Sequence, residues 1–280
     1  HGMRFIAAAD NANQQLIREP FDGRRSVTTI GSGSETDLVK LPVYGFYEML
    51  KLLGDRHGQE AAGSPSSDLF HLVTAAPTHI AALLSRYDPA GSASGRRIEL
   101  ALRDIPWERV NIARFQIDTT HSNSYTAAGR RLATLPSNEA ARQAMRMAQE
   151  LATDTPIRRG IALAGGKFRE IIELANFTTV LVWITPFAPD APAAPRWIDQ
   201  RVDEGRAVLR WTPNLEPFFY AYELLRETDG APGVLISPAS LRAATWTDVA
   251  PPRGSHVYAV RAVTASGIAS ELVRSAPIRL

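Results

Sequence analysis

The decapeptide Gln116–Tyr125, QIDTTHSNSY, sets Asp118, His121, Ser122 and Asn123 within six positions of one another. These are the side chains of a nucleophilic triad or of a small metal site. A triad needs a base that reaches the nucleophile and an acid that orients the base. His121 and Ser122 are adjacent, and on an extended chain adjacent side chains point to opposite faces. A zinc site needs three or four ligands, and this stretch offers one His and one carboxylate. The cluster therefore reads as a turn after a strand, with Asp118, Ser122 and Asn123 bonding local backbone groups.

Other short stretches invite the same question. Asn138-Glu139 has the composition of a glycosidase acid/base pair, but it lies at a helix start, where Glu favours the positive end of the dipole. Gly165-Gly166-Lys167 follows a strand without the spacing or the Ser/Thr of a phosphate loop, and a two-residue hairpin turn accounts for it. His71 and His79 lie on strands as packed or edge residues. Asp10-Asn11 differs, because the pair directly follows the strand-like run Arg4–Ala9. A polar pair at a strand's C-terminal end is where a (β/α)8 barrel keeps its functional residues.

The elements that carry these residues are mainly strands. Alternation marks Leu69–Ala75, His79–Tyr87, Arg97–Arg103, Arg109–Asp118, Gly160–Ala164, Arg169–Leu174 and Thr178–Thr185, with Gly/Ser/Pro turns between them. Two helices interrupt the series. Pro42 starts one whose Val43, Phe46, Leu50 and Leu53 repeat at helical spacing until Gly54. Ser137 caps another, whose Ala140, Ala144, Met147, Ala148 and Leu151 share a face. Many short antiparallel-type strands at this spacing predict a sandwich.

Asp190–Pro195 is a Pro/Ala linker, since Pro fixes φ and donates no ladder hydrogen bond. Beyond it, the order VLRW, YAYELLRE, TWTD, YAVRAVTASG resembles a fibronectin type III domain, with Trp211 as the core tryptophan and Tyr258 as the tyrosine of the penultimate strand. The expected organisation is a barrel-strand remnant and crossover at 1–30, an accessory β-sandwich with two helices at 31–188, a linker at 189–195, and a fibronectin type III-like domain at 196–280.

Composition narrows the class of function. The chain has 280 residues, 45% hydrophobic and 21% charged, with a formal charge of +2, as expected of a folded globular protein. Basic residues are scattered among acids with no stripe of interleaved aromatics, so no nucleic-acid partner is expected. The absence of cysteine excludes disulfides and thiol chemistry and leaves the compartment unassigned. No apolar run is long enough to span a bilayer, so no membrane partner is expected, and no cofactor or metal site is predicted.

Several stretches in order give the chain a wider resemblance. FIAAADNANQQLIREPFDGRRSVTT, KLPVYGFYEMLKLLG and RFQIDTTHSNSYTAAGRRLATLPSNEAARQAM resemble the last barrel strand and crossover, the helix beside the sandwich, and the strand, turn and helix of family 39 glycoside hydrolases. That family contains α-L-iduronidases and β-xylosidases, and its iduronidase branch carries a fibronectin-like C-terminal domain. The resemblance covers essentially the whole chain and implies a retaining mechanism with two glutamates, their carboxyls about 5 Å apart. Both would come from barrel strands outside this sequence, which reads as a piece of something longer. Glu19, Glu48, Glu139 and Glu150 sit in connector or helix contexts, so no catalytic residue is expected here. By resemblance, Asp10 binds the sugar, and Arg25, or its neighbour Arg24, pairs with a uronate carboxylate as a bidentate guanidinium does.

The expected function is thus the non-catalytic region of a glycosidase acting on uronide or xylose-type glycosides, its carbohydrate partner being met through the barrel. The rival is a stand-alone carbohydrate-binding or protein-interaction module. For that reading Trp107, Trp183, Trp197, Phe218, Phe219 and Tyr220 would form a stacking platform, although most alternate as core residues do.

Overall fold

β-Branched and aliphatic runs separated by turn residues fold as antiparallel ladders, and each ladder buries at least one face. The structure, a computed structural model, describes residues 27–29, 38–58, 68–88, 95–127, 129, 139–188, 190–216 and 218–280. The expected barrel-strand remnant, with Asp10, Arg24 and Arg25, lies outside the described residues, as do Asn138 and the Ser137 cap.

The first sheets are built from β1 (Val27–Thr29), β2 (Leu38–Lys40), β3 (Arg56–His57), β4 (Leu69–Ala76), β5 (His79–Arg86), β6 (Arg96–Leu102), β7 (Arg109–Ile117), β8 (Arg158–Ala162), β9 (Phe168–Leu174) and β10 (Thr178–Pro186). β1 pairs with β2, β6 pairs with β9, and the remaining strands form a six-stranded sheet in the order β3-β4-β5-β10-β7-β8. The predicted strands are thus present, with ends shifted by one or two residues, the usual uncertainty of a strand end. The helices are α1 (Pro42–Lys51), the single turn α2 (Ser124–Ala127) and α3 (Glu139–Ala148).

The middle of the large sheet is buried on both faces. One face, with Leu84, Val182, Ile112 and Ile184, packs on Leu100, Phe168 and Ile172 of the β6–β9 pair. The other, with Leu83, Leu181, Phe115 and Trp183, packs under Met49 of α1 and Leu52 just beyond its end. Registry explains how the indole fits. Trp183 pairs with Ala81 on one side and Ala113 on the other, so two small residues leave room for one large ring.

Gly54, expected to close α1, has another purpose. A Cβ there would lie 2.2 Å from the backbone carbonyl of Ala75, and its N–H donates to Thr74 Oγ1 at 2.8 Å. The glycine lets the end of α1 rest directly on β4. Gly54→Ala should push the two apart and cost about 1–3 kcal/mol in urea unfolding, the usual penalty for overpacking.

α3 buries a side that the periodicity did not indicate. Of the expected face, Leu151 is buried, but Ala140 and Ala144 are exposed and Met147 is 39% exposed, while Met145 and Arg146 are buried, followed by Glu150. Met145 packs with Val39 and Leu41 against β2. The alanine stripe was misleading because small residues suit a solvent face as well as a core.

The C-terminal segment pairs β11 (Trp197–Asp203), β12 (Arg206–Trp211) and β15 (Thr245–Asp248) in one sheet. It opposes β14 (Val234–Leu235), β13 (Phe219–Thr228), β16 (Ser255–Thr264) and β17 (Val273–Arg274), with β18 (Ile278–Arg279) also on β16. This three-plus-five antiparallel sandwich, in which the short β17 and β18 share one edge of β16, is fibronectin type III-like. Trp211 and Tyr258 are both buried in its core, as the resemblance implied. The Tyr258 hydroxyl donates to Asp248 Oδ2 at 2.9 Å, and the same oxygen accepts from Arg226 Nη1 at 2.7 Å. Burial, then the neighbouring Asp248 carboxylate, holds the Tyr258 phenol well above its ordinary range.

The two sandwiches share a core. Tyr220, Ala221 and Ala265 of the second belong to the cluster that includes Phe115 and Trp183 of the first, and the rings of Phe115 and Tyr220 stack at 6.1 Å and 23°. Polar contacts seal the edge. Asn111 donates to Ser266 Oγ at 3.0 Å, and Arg159 Nε donates to Ala265 O at 3.1 Å. This is why Asn111 is buried instead of facing water: at 1% exposure, it looks into the other sandwich.

Candidate functional site

The QIDTTHSNSY turn is wired internally. Ser122 takes φ +50°, and its hydroxyl donates to Gln116 O at 2.7 Å while accepting the Ala152 N–H at 2.8 Å. An oxygen committed to two backbone partners and 5% exposed is not a nucleophile. His121 Nδ1 lies 3.1 Å from both Asp118 oxygens, so acid and base do meet, yet neither serves Ser122. Asn123 Nδ2 donates to Asp118 O at 2.5 Å, and its Oδ1 accepts the Thr126 N–H at 3.0 Å, which caps α2.

Asp118 is the organising group. Its Oδ1 accepts the backbone N–H of Thr120 and of His121, each at 2.6 Å. Its Oδ2 accepts from Gln116 Nε2 at 2.6 Å. Burial pushes the carboxyl up, but these donors outweigh it and bring the pKa down to about 2. A depressed carboxyl stabilises the fold above its ordinary pKa and loses that contribution as pH falls through the folded value. Asp118→Asn should therefore cost about 1–3 kcal/mol near neutral pH, with the deficit closing between about pH 4 and 2 in a pH series of urea melts.

The turn also positions a second cluster. Ser124 Oγ donates to the Lys40 carbonyl at 2.5 Å, and the Lys40 N–H donates to Gln149 Oε1 at 3.0 Å. Held by both backbone groups, β2 aims Lys40 Nζ at Glu48 Oε1, 3.1 Å away, and at Glu150 Oε2, 3.0 Å away. The Arg242 backbone N–H of the second sandwich also serves the Glu150 carboxylate. Arg242 Nη1 in turn donates to Tyr220 O at 2.7 Å. Burial, then the adjacent Glu48 charge, raises the Glu150 pKa against the pull of Lys40. Burial lowers that of Lys40, but Glu150 and Glu48 outweigh it and leave it raised. A retaining acid/base and nucleophile pair must face each other across a sugar. Here an ammonium bonded to both carboxylates occupies the space between them, so Glu48 and Glu150 form an ion cluster at the junction of the sandwiches.

Beside this cluster runs a groove of about 670 Å3 between β2, α1 and the end of α3 on one side and the outer face of the β11–β12–β15 sheet on the other. Strand registry sets the second wall. Arg201, Val208 and Thr247 pair in one row, and Asp199, Arg210 and Thr245 in the next. Sequence reasoning missed the groove because its walls come from separate segments, residues 40–44 and 146–150 on one side and 198–247 on the other, and no local period reports a surface between two sandwiches.

The remaining candidates fall elsewhere. Ala164–Gly166 is a 3-10 turn that carries the chain from β8 in the large sheet to β9 in the small one, and not a hairpin loop. Its Gly166, at φ +63°, accepts the Ile105 N–H at 3.0 Å. Lys167 follows as a strand lead-in. His71 is exposed on β4. His79 is half-buried with its ring 6.1 Å from Trp183, and burial lowers its pKa. Trp183, Phe219 and Tyr220 are buried, which removes them from any stacking platform. No group of three or more His, Asp or Glu suited to a metal occurs among the described residues, and no helix among them is long and apolar enough to cross a membrane.

No family model matches the chain, and no curated protein matches it. Among solved structures it is similar to a bacterial orthologue of human α-L-iduronidase, at 23% identity and a TM-score of 0.75 over 90% of this chain and 47% of that one. The chain thus spans about half the length of that protein and shares the fold of that portion. A GH39 enzyme from Xanthomonas axonopodis pv. citri matches at 16% identity over 53% of this chain and 31% of that one, with a TM-score of 0.43. A monomeric β-xylosidase from Caulobacter crescentus CB15 matches at 12% over 54% and 31%, with a TM-score of 0.44.

Proposed function

We propose that the chain is the non-catalytic C-terminal region of a retaining glycoside hydrolase acting on uronide or xylose-type glycosides. The observation that carries the reading is the fold likeness, which runs through both sandwiches over 90% of this chain and takes in about half of an α-L-iduronidase orthologue. The ordered sequence stretches that resemble family 39 enzymes support it from the other direction. So does the state of the carboxylates described above: Glu48 and Glu150 are spent on Lys40.

In this reading the catalytic glutamates belong to a barrel elsewhere in the parent protein. Asp10 and Arg25, or Arg24, would reach its sugar site from the crossover. The sandwiches would serve as its support, with the carbohydrate met at the barrel. The test is the polypeptide encoded by the full reading frame, assayed on aryl β-xyloside and aryl α-L-iduronide. Release of the aryl group with retained anomeric configuration is expected, as is a loss of about tenfold or more on the uronide alone in Arg25→Ala, since a charge-assisted guanidinium–carboxylate pair is worth that much. A reading frame without a barrel, or one inert on both substrates, would overturn the assignment.

A further inference from the structure

We propose that the groove between the two sandwiches is a binding site for an acidic saccharide. Its position, size and lining each bear on this. The volume of about 670 Å3 lies within the range of about 300–1,000 Å3 typical of small-ligand sites. Four cations line it, Lys40, Arg146, Arg201 and Arg210, against one carboxylate, Glu150. Two more carboxylates stand beside them: Glu48 on Lys40, and Asp199, which bonds Arg201 and neighbours Arg210 in the same row of the wall. Arg210 is exposed and has no ion pair among the described residues, so its fork is available to a ligand carboxylate or sulfate in the bidentate manner that guanidinium favours.

The other lining chemistry fits a sugar better than a bare anion. Exposed Ile198 and half-buried Ala243 offer apolar surface to ring C–H groups, while Gln149, Thr245 and Thr247 offer amide and hydroxyl partners for ring hydroxyls. Tyr44 forms part of the first wall, its ring already carrying Lys40 Nζ at 5.2 Å from the centroid. Apolar faces with a few converging polar groups are what a pocket needs to hold and orient such a ligand. The walls are also fixed: one is anchored by the Lys40–Glu48–Glu150 cluster, the other by the β11–β12–β15 ladder, so little ordering is required on binding.

The saccharide in this inference rests on the glycosidase reading above, whereas the anion rests on the groove alone. The experiment is titration calorimetry of the 280-residue chain with tetragalacturonate, neutral xylotetraose and sodium sulfate, with Trp246 and Trp211 fluorescence as a second signal. Tetragalacturonate is expected to bind, Arg210→Glu to weaken it by about tenfold or more, and xylotetraose to bind more weakly by at least the same factor. Arg169→Glu, on the exposed face of β9 and outside the groove, should leave binding unchanged. No binding of tetragalacturonate, or equal binding by Arg210→Glu, would overturn the site. Sulfate binding as tightly as the tetrasaccharide, with the same Arg210 dependence, would overturn the saccharide and leave a simple anion site. None of these outcomes depends on turnover, so their failure is distinct from failure of the glycosidase reading.

Discussion

Lys40→Met should cost about 3–5 kcal/mol of folding stability at neutral pH, because it removes the ammonium between two carboxylates and leaves Glu150 charged in a buried position. The Glu150 side chain is 2% exposed and that of Lys40 15%. The pH dependence has a definite sign. In the wild type, Lys40 has a raised pKa, so its contribution is complete below its ordinary value of 10.5 and is lost as pH rises above it. In Lys40→Met, Glu150 loses the partner that held its raised pKa in check. The folded state then binds a proton more readily than the unfolded one, and the deficit shrinks as pH falls toward the ordinary carboxyl range. Adding Glu150→Leu should recover part of the loss, since replacing a buried pair by apolar groups costs less than breaking it. Equilibrium urea unfolding across pH measures all three.

Phe115→Ala should be of similar size, about 3–5 kcal/mol, the usual cost of emptying a buried aromatic site. Phe115 is fully buried, pairs in register with Leu181, and stacks on Tyr220 across the junction. Its removal opens a cavity shared by both sandwiches, so the loss should register in both. Near-ultraviolet signals from Trp183, beside Phe115, and from Trp211, in the second core, should shift their midpoints together. A shift confined to Trp183 would mean that the two cores melt independently and that the junction carries little energy.

Local pattern made some of this fold legible and left the rest hidden. β6 alternates in burial as Ile98-Glu-Leu-Ala-Leu does in sequence, because one of its faces is open to water. β7 does not, because Asn111 is covered by Ser266, more than a hundred residues away. The buried side of α3 is hidden from the pattern for a related reason: its partner is β2, a strand of three residues too short for any period to announce. Gly54 marks the end of the helical repeat in sequence, but what requires a glycine there is contact with Ala75 and not helix closure. The decapeptide was correctly read as a turn, yet its work of fixing Lys40 through Ser124 depends on a strand 84 residues earlier. Asp10, Arg24 and Arg25 came from resemblance alone and lie outside the described residues.

If the catalytic glutamates belong to a barrel outside residues 1–280, the purified chain should be inert as a hydrolase. The direct measurement is its rate on aryl β-xyloside and aryl α-L-iduronide, with urea melts confirming that it is folded. No release above the uncatalysed background is expected on either substrate. Turnover that disappears when one of its own glutamates, Glu48 or Glu150 first among them, is changed to Gln in a folded variant would contradict the non-catalytic assignment.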